Sequence, residues 1–249
     1  MTDLLYLQDS YLREADAVVR SAGDGSVVLD RTVFYPGGGG QPSDTGTLRW
    51  GDGERRVTEM RRDGDTVLHV LDGPPPAPGA AVCAVLDWDR RYAIMRYHSA
   101  LHVLVGAVYR LFNAKVTGGA IYPDRARMDF SLEDLNKDRV GEIERETNRV
   151  LAEDRPIVVR FVTHEEFARS DLVRLARDLV PRDVDRIRVI EIDGYDAQAD
   201  GGTHVARTGE VGVLRIVKTE NKGKANRRLE IQLTAAPARF GSRQQAQGG

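Results

Sequence analysis

Apolar and polar residues alternate in short runs over the first third of the chain. The runs are rich in β-branched residues and lie at Ala17–Val19, Ser26–Leu29, Thr66–Val70 and Ala81–Leu86. Gly-Asp-Gly triplets at 23–25 and 51–53 are typical of hairpin turns between such runs. Because no segment here has the period of a helix, the pattern predicts a β-rich N-terminal domain over residues 1–89.

Longer elements begin at about residue 90. An apolar run over 90–112 predicts a largely buried helix, and the spacing of Ser131 and Asp134 predicts a capping box that opens a second helix reaching about residue 153. The remaining predicted elements are strands around Gly118–Gly119 and Tyr122–Asp124, strands at Ile157–Val162, Arg186–Ile192, Val211–Val217 and Arg228–Leu233, and a short helix capped by Thr163 with Glu166. This mixture predicts an α+β domain over residues 90–236.

Composition and charge exclude several kinds of partner and site. A formal net charge of -2 gives no reason to expect non-specific binding to polyanions, so a nucleic-acid partner would need a local basic patch. The single cysteine excludes an internal disulfide and a four-thiolate zinc site. No apolar stretch is long enough to cross a membrane and no secretory signal is evident, so a cytoplasmic protein without a membrane contact is expected. No motif predicts a protein partner, and residues 237–249 lack apolar anchors and are predicted to be disordered.

Three of the five histidines occur in two short clusters. His98 and His102 are four residues apart, so a helix places both imidazoles on one face. Asp200 and His204 flank Gly201-Gly202, where a tight turn would bring their side chains together. Three imidazoles and a carboxylate form a suitable donor set for a divalent metal, most naturally zinc.

The residues alone leave the role of this set open. A histidine on a buried helix is more often an ordinary core residue than a ligand, and an acid in a loop is often a plain turn residue. Zinc with three protein ligands keeps a fourth position for water, whereas four protein ligands are typical of a structural site. A closed structural site and a hydrolytic centre are both compatible with the pattern.

A glycine-rich segment interrupts the predicted strands of the N-terminal domain. Gly37–Gly40 are four consecutive glycines, which permit a close approach of the backbone to a ligand, although a flexible turn is the simpler interpretation. No Gly-Lys-Ser/Thr follows them, so the segment is not a phosphate-binding P-loop. Thr32 and Gln41 flank the glycines with neutral side chains suited to recognising a small polar group such as a hydroxyl.

Basic residues crowd the predicted C-terminal hairpin. They include Lys218, Lys222, Lys224, Arg227 and Arg228. A solvated charged hairpin is the simpler interpretation, and contact with phosphates becomes credible only if this face borders the metal site.

Four motifs, in their order along the chain, resemble a known family. They are Phe34–Gln41, His98–His102, Gly201–Val205 and Lys218–Lys224. In these segments the sequence is similar to the free-standing alanyl-tRNA editing proteins, the AlaX family, and in length to their medium-sized members. That family resembles the editing domain of alanyl-tRNA synthetase.

The resemblance implies a trans-editing hydrolase. It would cleave the ester that links a wrong amino acid, chiefly serine with glycine as a second substrate, to tRNA(Ala). The expected fold is α+β, with a small β-barrel-like N-terminal domain followed by an editing domain with antiparallel sheet and helices. The alternative is a tRNA-binding module with a structural zinc and no hydrolysis.

The resemblance also implies roles for individual residues. One zinc ion would be bound by His98, His102 and His204 with a fourth ligand at Asp200, where the family usually has cysteine. Either this carboxylate replaces the thiolate as ligand, or it orients water beside a metal with three protein ligands. Thr32 would contact the serine hydroxyl and Gln41 would border the substrate, which suits discrimination against alanine because a site that hydrogen-bonds a hydroxyl rejects an analogue lacking it.

Overall fold

The computed structural model of the chain describes residues 2–169 and 186–234. The chain divides into two compact units, Met1–Ile94 and Met95–Gly249. The domain limits drawn from the sequence stay predictions, and the tail predicted over 237–249 lies outside the described residues. Among the described residues, no helix is long and apolar enough to cross a membrane.

The first unit is built from short strands. In chain order they are β1 (Asp3–Leu4), β2 (Glu14–Gly23), β3 (Ser26–Leu29), β4 (Arg31–Thr32), β5 (Gly46–Trp50), β6 (Gly53–Asp63), β7 (Thr66–Leu71) and β8 (Ala81–Leu86). The short strands β1 and β4 pair in parallel, and a 3₁₀ turn at Leu5–Leu7 follows β1.

Six of these strands close into a barrel. The order is β2-β3-β7-β6-β5-β8, every pairing is antiparallel, and β2 pairs with β8 to complete the ring. Along β7 and β8 every second side chain is buried, because successive residues of a strand point to opposite faces. Val27, Leu29, Leu48 and Val57 have no exposed surface and lie in the core. The predicted β-barrel-like N-terminal fold is confirmed.

The second unit combines helices with two sheets. After α1 (Trp88–Phe112), which begins in the first unit, its elements are β9 (Val116–Ile121), β10 (Ala126–Phe130), α2 (Lys137–Ala152), β11 (Ile157–Val162), α3 (His164–Ala168), β12 (Ile187–Ile192), β13 (Asp196–Ala199), β14 (Leu214–Gly223) and β15 (Asn226–Leu233). The described strands form two antiparallel sheets, in the orders β14-β15-β10-β9 and β11-β12-β13. The predicted α+β class is confirmed.

The two longer helices differ in how much of their surface is buried. Every residue of α1 from Tyr97 to Val108 is buried, which follows from an apolar sequence that continues around the whole helix. In α2 the buried residues are Ile143, Thr147, Val150 and Leu151, the spacing of a single buried face. The capping box of Thr163 and Glu166 is present at the start of α3.

The second helix begins later than predicted. Ser131 does not cap it, because the Ser131 hydroxyl accepts a hydrogen bond from the Lys115 N–H at 2.9 Å and so holds the chain beside the start of β9. Asn136 is the N-cap instead, and its side-chain oxygen accepts from the Arg139 N–H at 3.0 Å. A competing partner that is distant in sequence therefore moved the helix start.

The strand predicted around Tyr122–Asp124 is wrong. These residues form the turn between β9 and β10, in which the Tyr122 N–H donates to the Arg125 carbonyl at 2.8 Å. Pro123 lacks an N–H and has a restricted φ, which suits a turn better than a paired strand.

Candidate metal centre

His98 and His102 lie in the part of α1 that is buried on all sides. The two residues are 6% and 7% exposed, so both imidazoles are almost completely shielded from water. The centroids of the two rings are 5.1 Å apart, as expected for residues separated by one helical turn. The helix thus presents two imidazoles side by side inside the second unit.

Asp200 and His204 lie on the loop that follows β13. The Asp200 N–H donates to the Arg188 carbonyl at 3.1 Å, which extends the pairing of β12 with β13 to this residue. The Gly202 N–H donates to Oδ2 of Asp200 at 2.6 Å and closes a tight Asx turn. Neither Gly201 nor Gly202 adopts a left-handed backbone conformation. The carboxylate itself, rather than the conformational freedom of glycine, therefore shapes the turn.

The structure brings all four predicted metal-ligating residues together. One donor atom from each of His98, His102, Asp200 and His204 lies within 4.8 Å of the others. The His204 ring centroid lies 4.2 Å from that of His98 and 4.6 Å from that of His102. Nε2 of His204 is 3.0 Å from Oδ2 of Asp200, and Nε2 of His98 is 3.5 Å from Oδ1. Zinc sites in proteins are built from imidazole nitrogens and carboxylate oxygens of this kind, so the donor set fits zinc.

Burial gives the donors the protonation states that a cation needs. Desolvation, followed by repulsion from His98, lowers the pKa of His102 to about 4. The same two causes hold the pKa of His204 well below its ordinary value. Burial alone would raise the pKa of Asp200, but attraction to His98 and the hydrogen bond with His204 outweigh it and keep the pKa low. The imidazoles of His102 and His204 are thus neutral beside an ionised carboxylate at pH 7, so binding a cation does not require an imidazolium to be deprotonated first.

The glycine-rich segment of the first unit has a defined conformation. All four glycines from Gly37 to Gly40 have positive φ angles, between 58° and 131°, which residues with a Cβ rarely adopt. Gly38 and Gln41 exchange two backbone hydrogen bonds, of 3.0 and 2.9 Å, and the Tyr35 hydroxyl donates to the Gly38 carbonyl at 3.0 Å. The Gln41 residue is 3% exposed. The segment is a specific turn whose backbone conformation favours glycine at each of the four positions.

A buried ion pair anchors this turn. Arg91 and Asp44 are 1% exposed each, and Arg91 Nη2 lies 2.5 Å from Oδ2 of Asp44. The same guanidinium donates to the Val33 carbonyl, and the Asp44 carboxylate accepts from the Tyr35 N–H. Two residues before the glycines and one after them are therefore tied to a single cation.

Thr32 forms a hydrogen-bonded pair with a histidine of β7. Its Oγ1 lies 2.8 Å from Nε2 of His69, and Nδ1 of His69 lies 3.3 Å from the Val27 carbonyl. A carbonyl oxygen only accepts, so Nδ1 holds the ring proton and the Thr32 hydroxyl donates to Nε2. The Phe34 N–H donates to the same hydroxyl oxygen at 3.1 Å. Both Thr32 and His69 have no exposed surface.

Matches to known protein families fall in the two regions just described, the one with Asp200 and His204 and the one with Thr32 and Gln41. Residues 187–230, which include Asp200 and His204, match the family described as threonyl and alanyl tRNA synthetase second additional domain. Residues 7–90, which include Thr32 and Gln41, match the family described as tRNA synthetases class II (A). The alanyl-tRNA editing protein AlaX-M of Saccharolobus solfataricus is 41% identical over 233 residues, which cover 92% of this chain and 98% of that protein.

The chain belongs to the AlaX-M family of alanyl-tRNA editing proteins. The AlaX-M protein of Methanosarcina acetivorans is 40% identical over 244 residues, which cover 94% of this chain and 99% of that protein. An alanine–tRNA ligase of Ignicoccus hospitalis is 38% identical over 221 residues, which cover 88% of this chain but 24% of the ligase. The resemblance inferred from the four sequence motifs is confirmed.

In this AlaX-M family member, the basic residues of the β14–β15 hairpin divide into two groups. Arg228 forms a bidentate ion pair with Asp129, with distances of 2.6 and 2.8 Å. Arg227 donates to backbone carbonyls, including that of Gly223. Arg227 thus supports the turn of the hairpin, and Arg228 joins the hairpin to β10. Lys218 pairs with Glu220 at 2.5 Å, and Nζ of Lys222 is 3.9 Å from the same carboxylate.

Lys224 lies in the turn of that hairpin, and its side chain is exposed. The ammonium groups of Lys222 and Lys224 are therefore the predicted tRNA contacts that can most readily turn towards a phosphate.

Three further residues of the two regions were not singled out from the sequence. His69 binds Thr32, Ser99 lies 3.2 Å from His204, and Arg188 donates to the Asp200 carbonyl at 2.9 Å. Ser99 carried a signal, since it stands between two histidines that share a helix face. His69 and Arg188 carried no such signal, because their partners are distant in sequence and only the tertiary fold brings them near.

Proposed function

We propose that this AlaX-M family member hydrolyses the ester that joins serine to tRNA(Ala), with glycine as a second wrongly attached amino acid. One zinc ion would be held by His98, His102, Asp200 and His204. The observation that carries the proposal is the convergence of these four donor atoms within 4.8 Å, in a chain that belongs to an editing family. Family membership makes the chain a tRNA-editing enzyme; the metal and the amino acid are the proposed parts.

The chemical demand of this reaction is modest. An aminoacyl ester is already activated, so placing the ester and a water molecule matters more than a strong base, and no base is assigned. When bound, zinc supplies a Lewis acid for the ester carbonyl. The chain contributes a buried, fixed set of donors whose carboxylate is held by the Gly202 N–H.

Asp200 sets the character of the proposed metal centre. A carboxylate donates less charge than the thiolate that the resemblance leads one to expect, so the ion would be more Lewis acidic and held less tightly. The position of the carboxylate beside His98 and His204 supports a ligand role for Asp200 over a role in orienting water.

Thr32 is proposed to select serine. The proton of its hydroxyl is directed at His69 and one lone pair is directed at the Phe34 N–H, so the remaining capacity of Oγ1 is to accept a hydrogen bond. A serine hydroxyl offers a donor to that oxygen, whereas the alanine methyl group does not. Because Thr32 is fully buried, contact requires the neighbouring side chains to move. Glycine also lacks the donor, so we expect serine to be the better substrate.

Gln41 is proposed to border the substrate. It follows the turn of four glycines directly, and the buried pair of Arg91 and Asp44 fixes the approach to that turn. The proposed partner is mischarged tRNA(Ala), with Lys222 and Lys224 at the hairpin tip as phosphate contacts supported by Lys218.

Release of serine from Ser-tRNA(Ala) by zinc-loaded protein tests this proposal. The zinc-loaded wild type should release serine faster than glycine and leave Ala-tRNA(Ala) largely intact. His102→Ala should lose turnover while binding of the tRNA is retained. The matched control is His164→Ala, which replaces an exposed histidine at the start of α3 and should keep both properties.

Two outcomes would contradict the proposal. If zinc-loaded wild type releases no serine, the proposed hydrolysis is wrong. If His102→Ala loses its circular-dichroism signature and its tRNA binding together, the site is structural, and the protein would be a binding module with a structural zinc.

A further inference from the structure

Ser99 joins α1 to the loop that carries His204. It lies on the helix between His98 and His102 and has no exposed surface. Its Oγ is 3.2 Å from Nδ1 of His204, and the Val205 N–H donates to the same oxygen at 3.1 Å. Nδ1 is the ring nitrogen on the side away from the donor set, because Nε2 of His204 is the atom that lies 3.0 Å from Asp200.

We propose that Ser99 is a positioning residue of the metal centre, which holds the His204 ring through Nδ1 so that Nε2 faces the ion. The inference rests on the metal-dependent function proposed above. An imidazole that gives its Nε2 lone pair to a metal carries its proton on Nδ1, and that proton needs an acceptor. Without an ion, Nε2–H of His204 donates to the Asp200 carboxylate and the Ser99 hydroxyl donates to Nδ1. With zinc on Nε2 the ring proton would lie on Nδ1, and Ser99, whose oxygen has two lone pairs, would accept from both Nδ1–H of His204 and N–H of Val205.

Replacing Ser99 by alanine removes the one oxygen that takes part in both hydrogen bonds. In the zinc-bound state Nδ1–H of His204 and the N–H of Val205 would then both lose this acceptor, and the ring would be able to rotate away from the other donors. Loss of such a hydrogen bond to a metal-ligating histidine typically lowers metal affinity about 10–100-fold. A hydroxyl that only supports the fold would change thermal stability and leave metal affinity alone.

The test is the zinc affinity of the full-length protein, measured by competition with a chromophoric chelator. We expect Ser99→Ala to bind zinc about 10–100-fold more weakly than wild type, and Ser99→Thr, which keeps the hydroxyl, to recover most of the affinity. The matched control is Thr147→Val. It removes a hydroxyl that is equally buried but donates to the Ile143 carbonyl within α2, and it should leave zinc affinity unchanged.

A second measurement examines the ring itself. In zinc-loaded wild type, the imidazole nitrogen signals of His204 should show Nε2 bound to the metal and a slowly exchanging proton on Nδ1. This result does not depend on the folding of any variant, and coordination through Nδ1 would overturn the inference. So would a Ser99→Ala protein that binds zinc as tightly as wild type. If wild type itself binds no zinc, the proposed metal-dependent function fails. If wild type binds zinc and Ser99→Ala binds it equally well, only the proposed role of Ser99 fails.

Discussion

Acidification should destabilise the barrel through one buried histidine. His69 has no exposed surface, and its ring lies between the Thr32 hydroxyl and the Val27 carbonyl. Burial lowers the pKa of His69 from its ordinary value of 6.5 to about 4, against a smaller opposing contribution from the Val27 hydrogen bond. The folded state thus resists protonation at a pH at which the unfolded chain accepts a proton.

The difference between the pKa of His69 in the folded and unfolded states determines the sign and size of the change in the free energy of unfolding. Well above pH 6.5 the ring is neutral in both states and contributes no pH dependence. As the pH falls from 6.5 towards 4, the unfolded chain binds a proton that the folded barrel does not, and unfolding becomes easier. Each pH unit is worth about 1.4 kcal/mol, so the whole gap corresponds to about 3 kcal/mol, of which about 2 kcal/mol is lost between pH 7 and pH 5.

Urea unfolding followed by tryptophan fluorescence measures this loss. Both tryptophans, Trp50 and Trp88, belong to the first unit, so their emission reports on the barrel. The comparison is between wild type and His69→Gln, whose amide can replace the two hydrogen bonds but does not titrate. Between pH 7 and pH 5 wild type should lose about 2 kcal/mol more than His69→Gln in its free energy of unfolding.

Carboxylates and the other histidines contribute equally to both proteins and cancel in this difference. His164→Gln replaces an exposed histidine and should follow wild type at every pH. Parallel pH profiles for wild type and His69→Gln would refute the reasoning, because they would show that the ring takes up a proton without unfolding the barrel.

Four further predictions concern the proposed site and its supports. Asp200→Cys should preserve or tighten zinc binding in a chelator competition; clear weakening would argue against a ligand role for the carboxylate. Thr32→Val should reduce the preference for Ser-tRNA(Ala) over Gly-tRNA(Ala) in deacylation assays, and an unchanged ratio would remove its assigned role. Arg91→Met leaves a buried carboxylate without its cation, so the barrel should lose about 3–5 kcal/mol in urea unfolding; a loss below about 1 kcal/mol would contradict this. Replacing Lys222 and Lys224 together by alanine should weaken tRNA binding and flatten its dependence on salt by about one unit of slope per lost contact, and an unchanged slope would place the tRNA elsewhere.

Much of the architecture could be predicted from the pattern of apolar residues a few positions apart in the sequence. Strands β3, β7 and β8 alternate with period two, and α1 is apolar around its whole circumference, so these elements were predicted with approximately their observed limits. Only part of β2 was predicted, and β5 and β6 were not predicted as strands. The pairing of His98 with His102 depends only on their spacing within one helix. Such features depend on residues a few positions apart, whose relative directions are determined once the local structure is known.

Other features depend on partners that are far apart along the chain. Ser131 was expected to cap a helix, but Lys115, sixteen residues earlier, occupies its hydroxyl. Arg228 was among the predicted phosphate contacts, a role that stays a prediction, and Asp129 on the neighbouring strand β10 binds its guanidinium. In each case the hydrogen-bond partner lies on another segment of the chain, which the local sequence pattern does not specify.

The metal-ligating set depends both on spacing within the sequence and on the tertiary structure. The amino-acid sequence by itself determined that two imidazoles share a helix face and that a carboxylate and a third imidazole flank a turn. Only the tertiary structure decided that the turn meets the helix, that Ser99 reaches His204 across 105 positions, and that His69 reaches Thr32 across 37. The physical reason is that a hydrogen bond depends on distance in space to within a few tenths of an ångström, and periodicity along the chain specifies direction within an element but not which element lies opposite.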